Sequence, residues 1–77
     1  MATNVIMPAL GLAQKTGRIL EWFKEEGESI EKGEPLMEIE TDKAAVEIES
    51  PASGTLANVT AVAGDEVFVG QTIAQIL

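Results

Sequence analysis

The sequence predicts an all-β domain, a sandwich or flattened barrel built from two copies of one unit. Three observations predict it. Glycines recur at a fixed offset, turn signals recur every six to ten residues, and apolar residues alternate with polar ones between the turns.

The glycines fall at 11, 17, 27, 33, 54, 64 and 70. Gly17, Gly27 and Gly33 map onto Gly54, Gly64 and Gly70 with a constant offset of 37. The residues between them agree in type: Ile19 meets Leu56, Trp22 meets Val59, Glu28 meets Asp65, Ile30 meets Val67, Leu36 meets Ile73 and Ile39 meets Ile76. Residues 17–40 and 54–77 are therefore two copies of one unit. Two copies are too few for a solenoid, so they predict a single domain with a pseudo-twofold axis.

The elements follow in order. Val5-Ile6-Met7 reads as a first strand and Val46-Glu47-Ile48 as its counterpart, at an offset of 41. The offset falls from 41 to 37 across the connection, so the first loop, Pro8 to Thr16, holds four residues more than the connection around Ser50 to Ser53. Ile19 to Glu26 could form a short helix ended by Gly27, but its repeat partner, Leu56 to Val62, is β-rich with Asn58 in the middle, so both read as strands. Turns are predicted at Glu26-Gly27-Glu28, Lys32-Gly33-Glu34-Pro35, Ser50-Pro51-Ala52-Ser53-Gly54, Ala63-Gly64-Asp65-Glu66 and Val69-Gly70-Gln71. Pro35 opens a strand, where its missing N–H costs least. Val67, Phe68, Val69, Thr72, Ile73 and Ile76 complete the strand-like set.

The clearest hairpin is central. Met37-Glu38-Ile39-Glu40 and Ala45-Val46-Glu47-Ile48-Glu49 both alternate apolar and acidic residues. With Asp42-Lys43 as a two-residue tip, Ile39 faces Val46 and Met37 faces Ile48 on one face, while Glu38 faces Glu47 on the other. A one-residue slip would bury the glutamates, so the register is well specified.

Composition removes most catalytic kits. The 77 residues are 45% hydrophobic and 23% charged, which suits a small globular domain burying roughly 60% of its unfolded surface. There is no Cys and no His, hence no thiol nucleophile, imidazole base or common zinc site. Thirteen acids against five bases give a net charge of −8, which argues against nucleic acid and anionic membranes. No apolar run approaches the ~20 residues of a membrane span. The start, Met1-Ala2-Thr3-Asn4, shows no secretory signal.

Asp-Lys is an unusual tip, since tight hairpins favour Asn-Gly or Asp-Gly. Lys43 is the only base between Lys32 and the C-terminus, and it stands where the two repeats meet. Lysine catalysis needs burial or a neighbouring cation to lower the amine's pKa; a carboxylate-rich turn offers the reverse. Two readings stay open: a solvated lysine relieving the repulsion of Glu38, Glu40, Asp42, Glu47 and Glu49, or an attachment point that another enzyme acylates.

Glu40-Thr41-Asp42-Lys43-Ala44 resembles the lipoylation motif of lipoyl domains in the dihydrolipoamide acyltransferase (E2) chains of 2-oxo acid dehydrogenase complexes. The resemblance extends over essentially the whole chain. Met7-Pro8-Ala9-Leu10, Gly17-x-Ile19-x-x-Trp22, Gly27-Glu28-x-Ile30-x-x-Gly33 and Glu49-Ser50-Pro51-x-x-Gly54 are all similar to family segments. It implies a flattened barrel of two four-stranded antiparallel sheets related by quasi-twofold symmetry. It also implies lipoate as a covalent cofactor, amide-linked to Lys43, with Glu40, Thr41, Asp42 and Ala44 read by the attaching enzyme. The implied partners are a lipoate ligase or lipoyl transferase, a thiamin-diphosphate-dependent decarboxylase (E1), an E2 acyltransferase domain and dihydrolipoamide dehydrogenase (E3). The resemblance further implies a carrier without catalysis of its own, monomeric in isolation, in a bacterial cytoplasm or the mitochondrial matrix. The chain ends at Ile76-Leu77, inside a predicted strand, so residues 1–77 read as one domain excised from a longer multidomain chain.

In this family the first loop helps the decarboxylase recognise its carrier. Leu10, Gly11, Leu12 and Ala13 are assigned to partner recognition on that basis; the alternative is that the two leucines cap the core. Lys15-Thr16-Gly17 differs from the Glu-Gly of many members. The acidic face, Glu38, Glu40, Glu47 and Glu49, either attracts a basic partner or solubilises the sheet and protects its edges. Biotinyl domains share the fold but flank their lysine with Met, where this chain has Asp42 and Ala44. An unmodified interaction module would lack the exposed lysine. A carboxylate enzyme would need a pocket that Glu38 and Glu47 do not have on an open sheet.

Overall fold

The alternating pattern emerges as eight strands in the computed structural model, which describes residues 2–11, 13–41 and 44–77. They are β1 (Thr3–Ile6), β2 (Thr16–Trp22), β3 (Ser29–Ile30), β4 (Pro35–Glu40), β5 (Ala45–Glu49), β6 (Gly54–Ala57), β7 (Glu66–Phe68) and β8 (Thr72–Ile76). Two four-stranded antiparallel sheets result, ordered β1-β8-β6-β3 and β5-β4-β2-β7. Their inner faces share one core, in which Met7, Ile19, Ile30, Leu36, Met37, Ile39, Leu56, Ile73 and Ile76 are fully buried. Each such side chain stabilises the fold by about 1.5–3 kcal/mol relative to exposure. Trp22 packs against this core and its indole N–H donates to Ala61 O at 3.0 Å.

The repeat is the symmetry of the fold. Exchanging β1 with β5, β2 with β6, β3 with β7 and β4 with β8 converts one sheet's strand order into the other's. Registers repeat as well: Ile19 opposite Ile39 matches Leu56 opposite Ile76, and Val67 opposite Gly17 matches Ile30 opposite Gly54. Gly27 N donates to Leu56 O and Gly64 N to Ile19 O, both at 2.7 Å, with φ values of 96° and 98° that favour glycine. Each of these turns is fastened by a carboxylate: Glu25 N donates to Glu28 Oε1 at 2.7 Å, and Val62 N to Asp65 Oδ2 at 3.0 Å.

Two details differ from the sequence reading. Val5 lies opposite Ala74 and Ile48 opposite Met37, each beside a bulge, so the first strands correspond at an offset of 43, not 41. The first loop is therefore six residues longer than its counterpart, not four. A two-residue slip leaves every side chain on the same face, so alternation alone cannot detect it. The second difference is that β6 stops at Ala57 and β2 at Trp22. Asn58 takes φ 52°, a left-handed conformation that Asn tolerates, and turns the chain out of the ladder.

The outer faces of the two sheets carry different chemistry at equivalent positions. On one, Asn58 Nδ2 donates to Gln75 Oε1 at 2.7 Å and Gln75 Nε2 to Asn4 Oδ1 at 3.0 Å, a closed amide ladder. On the other, the equivalent residues are Glu21, Glu38 and Glu47, in register across β2, β4 and β5. Among the described residues no cation pairs with any of the three. Like charges opposite each other in a sheet are destabilising.

Two predictions follow from this packing. A Cβ at Gly54 would run into the backbone carbonyl of Leu77, whereas one at Gly17 would meet chiefly the Met7 thioether at 2.8 Å, which can move. Gly54→Ala should therefore cost at least ~2 kcal/mol in denaturant unfolding, and Gly17→Ala clearly less. Glu38→Gln should raise stability by about 0.5 kcal/mol at low salt, with the gain shrinking as salt is added.

Candidate functional site at the β4–β5 hairpin

The hairpin follows from its hydrophobic pattern. Ile39 lies opposite Val46, Met37 opposite Ile48, Glu38 opposite Glu47 and Glu40 opposite Ala45, the register read from the sequence. Met37 and Ile39 are fully buried; Val46 and Ile48 are half-buried because β5 is the edge strand. At the end of the ribbon Thr41 N donates to Ala44 O at 2.9 Å, and Thr41 Oγ1 donates to the same oxygen at 3.3 Å. Glu40 and Ala44 are exposed and Thr41 is half-buried. Asp42 and Lys43, the tip itself, lie outside the described residues.

Beside the hairpin, β2 sits between β4 and β7. Arg18 lies opposite Glu40 on one side and Glu66 on the other, and Thr16 lies opposite Phe68. Thr16, Gly17, Arg18, Glu40, Thr41 and Glu66 line an open cleft of about 380 Å³, with Thr16 Oγ1 donating to Glu66 Oε2 at 3.2 Å. Arg18 is exposed and makes no ion pair within 4.0 Å among the described residues; Lys24 does, with Glu34 at 3.6 Å. Such exposed charges contribute little to stability. Among the described residues no three carboxylates come together as a metal site. A cleft this open and polar does not exclude water from a reaction, and it suits a group presented to another protein better than one transformed in place.

The long first loop rises at the same end of this sheet. Gln14 shapes it: Leu10 N donates to Gln14 Oε1 at 2.7 Å, Gln14 N to Gly11 O at 3.2 Å, and Gln14 Nε2 to Thr16 O at 3.1 Å. Val69 N donates to Lys15 O at 2.9 Å and ties the loop to β7. Of the residues assigned to partner recognition, Leu10 is 43% exposed and Gly11 and Ala13 are exposed, while Leu12 lies outside the described residues. Leu10 therefore does not cap the core.

Sequence reasoning missed two residues here. Gln14 carries no pattern of its own. Phe68 is 69% exposed, though it reads as an ordinary strand residue. Its repeat partner, Glu31, is the signal that could have found it, because an exposed position in one copy marks an exposed position in the other.

The comparisons with known proteins agree with this geometry. The model of the biotin/lipoyl family, described as biotin-requiring enzyme, matches residues 3–76. The chain is 42% identical over 76 residues to the dihydrolipoyllysine-residue acetyltransferase component of the acetoin cleaving system of Bacillus subtilis. It is 45% identical over 75 residues to the dihydrolipoyllysine-residue acetyltransferase component of the pyruvate dehydrogenase complex of Corynebacterium glutamicum. These alignments cover 99% and 97% of this chain, but only 19% and 11% of the two relatives. The fold is similar to the solution structure of the lipoyl domain of the 2-oxoglutarate dehydrogenase complex from Azotobacter vinelandii, with TM-score 0.80, 27% identity, and coverage of 96% of this chain and 94% of that one. With strand order, repeat, hairpin and family model in agreement, the chain belongs to the biotin/lipoyl family, as a carrier domain for a covalently attached lipoyl or biotinyl group.

Proposed function

We propose that this chain carries lipoate, joined through an amide to Lys43. One observation carries the reading. The β4–β5 ribbon is closed by the bond between Thr41 N–H and Ala44 C=O, so only Asp42 and Lys43 lie between the members of that bonded pair. Of the described neighbours of the tip, Glu40, Ala44 and Ala45 are exposed and Thr41 is half-buried, which fits a tethered group held out in solvent and not one bound in a pocket. The names of the relatives support lipoate over biotin, since both are dihydrolipoyllysine-residue components. So do the Asp42 and Ala44 flanks.

The residues then divide the work. Met37, Ile39, Val46 and Ile48 anchor the ribbon, and Thr41 and Ala44 close it. Glu40, Thr41, Asp42 and Ala44 are the residues that a lipoate ligase or lipoyl transferase reads beside the amine. Lipoate would supply a dithiolane whose S–S bond opens as one sulfur takes the acyl group from the substrate-derived fragment, which is oxidised, and the other becomes a thiol; the dithiol is complete once the acyl group has passed on. The catalytic groups belong to the partners: a thiamin-diphosphate-dependent decarboxylase, an acyltransferase domain and dihydrolipoamide dehydrogenase. What this chain contributes is a defined surface and a high local concentration of the tethered group.

Incubation with a lipoate ligase, lipoate and ATP should add one lipoyl group to the peptide containing Lys43, and none to Lys43→Arg. Biotin gained instead with a biotin ligase would overturn the choice of cofactor; no gain on folded chain would overturn the attachment site. Geometry can be tested apart from the presence of the amine. One glycine inserted between Asp42 and Lys43 should leave thermal unfolding nearly unchanged but slow attachment by at least about tenfold.

A further inference from the structure

We propose that Thr41 is a positioning residue: its hydroxyl holds the two-residue tip so that Lys43 is offered in one orientation to the enzyme that attaches the cofactor. The proposal rests on the carrier reading above and deepens it, since the attaching enzyme then reads Thr41 through the turn it holds.

Four other turns of the chain serve as the control. In residues 25–28, 31–34, 62–65 and 68–71 the fourth N–H donates to the first C=O, at 3.0, 2.9, 3.0 and 3.1 Å. Each has glycine third: Gly27, Gly33, Gly64 and Gly70, with φ values of 96°, 91°, 98° and 90°. In the first three turns the fourth residue adds a side-chain fastening. The first N–H donates to Glu28 Oε1 at 2.7 Å, to Glu34 Oε1 at 2.8 Å and to Asp65 Oδ2 at 3.0 Å. The stretch 41–44 has neither device in its sequence. Its third residue is Lys43, and lysine resists the positive φ that these glycines take. Its fourth is Ala44, whose methyl side chain cannot bond.

The side-chain bond between the same two positions comes instead from the first residue. Thr41 Oγ1 donates to Ala44 O at 3.3 Å, beside the Thr41 N–H bond to that oxygen at 2.9 Å. A carbonyl oxygen has two lone pairs and accepts both donors. Replacing carboxylate by hydroxyl suits an amine that must be acylated. A carboxylate on residue 44 would follow Lys43 directly and favour its charged form, whereas the nucleophile is the neutral amine. A hydroxyl fastens the turn without that charge. A tip held in one geometry also binds better, because apparent affinity falls with the fraction of chains that hold the competent form.

Thr41→Val keeps the shape and removes the donor; Thr41→Ser keeps the donor. Both should melt within roughly 8 °C of wild type. The first measurement needs no cofactor. Amide hydrogen exchange at residue 41, corrected for side-chain type, should be about fivefold faster in Thr41→Val and restored in Thr41→Ser. In the second, with a lipoate ligase, lipoate and ATP, Thr41→Val should raise KM for the chain about fivefold with kcat unchanged, and Thr41→Ser should restore it. With one glycine inserted between Asp42 and Lys43 the tip is already displaced, so Thr41→Val should raise KM no further. Unchanged exchange in Thr41→Val would refute the fastening, and faster exchange with unchanged KM would refute the positioning. A KM effect that persists in the inserted chain, or a fall in kcat, would show that the enzyme touches the hydroxyl itself and overturn the proposal. A larger fall in melting would make Thr41 a general prop of the fold and overturn it too. Wild type that takes up no lipoate would refute the carrier reading, while exchange would still decide whether the hydroxyl holds the turn.

Discussion

The pairing register of β4 with β5 is the constraint on which the rest depends. Ile39 and Met37 are fully buried, so their cross-strand partners Val46 and Ile48 must face the same way. That leaves Glu38, Glu40, Glu47 and Glu49 on the other face, and it leaves two residues, Asp42 and Lys43, between Thr41 and Ala44. A slip by one residue would place carboxylates in a core whose one buried polar residue, among the described residues, is Ser50, and its hydroxyl donates to Ala52 O at 2.7 Å. The core therefore determines which residues lie between the two strands, and among them is the lysine proposed to carry the cofactor.

Quasi-twofold symmetry explains how so short a chain completes this core. Each copy supplies the same apolar positions, and each sheet draws strands from both copies, so neither copy is closed without the other. The proposed attachment site lies where the symmetry is broken. The hairpin joins two strands that in the other sheet are β8 and β1, separate in sequence and paired only through Thr3–Ile6 and Thr72–Ile76. The insertion before β2, the exposed Phe68 and the glutamate row that replaces an amide ladder all belong to the sheet with the hairpin. With like charges in register, the glutamate row is the less stable of the two outer faces.

Much of this was legible in the residues. Gly17, Gly27 and Gly33 repeat because the backbone conformation and close approaches repeat, so the offset of 37 survives in structure. The Ile39–Val46 register was legible because a wrong register has an obvious cost. The equivalence of Val5 with Ile48 was not, because the two-residue alternative costs nothing that alternation can see. Asn58 ended a strand that propensity alone would continue to Val62. Gln14 and Phe68 were illegible for a different reason: hydrogen bonds within a loop and exposure at an edge depend on tertiary placement.

The most direct test of this account is a set of cross-strand Hα–Hα contacts measured by NMR in the intact chain. With Thr41 and Ala44 a hydrogen-bonded pair, the close pairs that alternate with it are Glu40 with Ala45 and Glu38 with Glu47. Strong Hα–Hα cross-peaks at those two pairs are the predicted result. Cross-peaks displaced by one residue, such as Glu38 with Val46, would contradict the register and with it the two-residue tip at Asp42-Lys43.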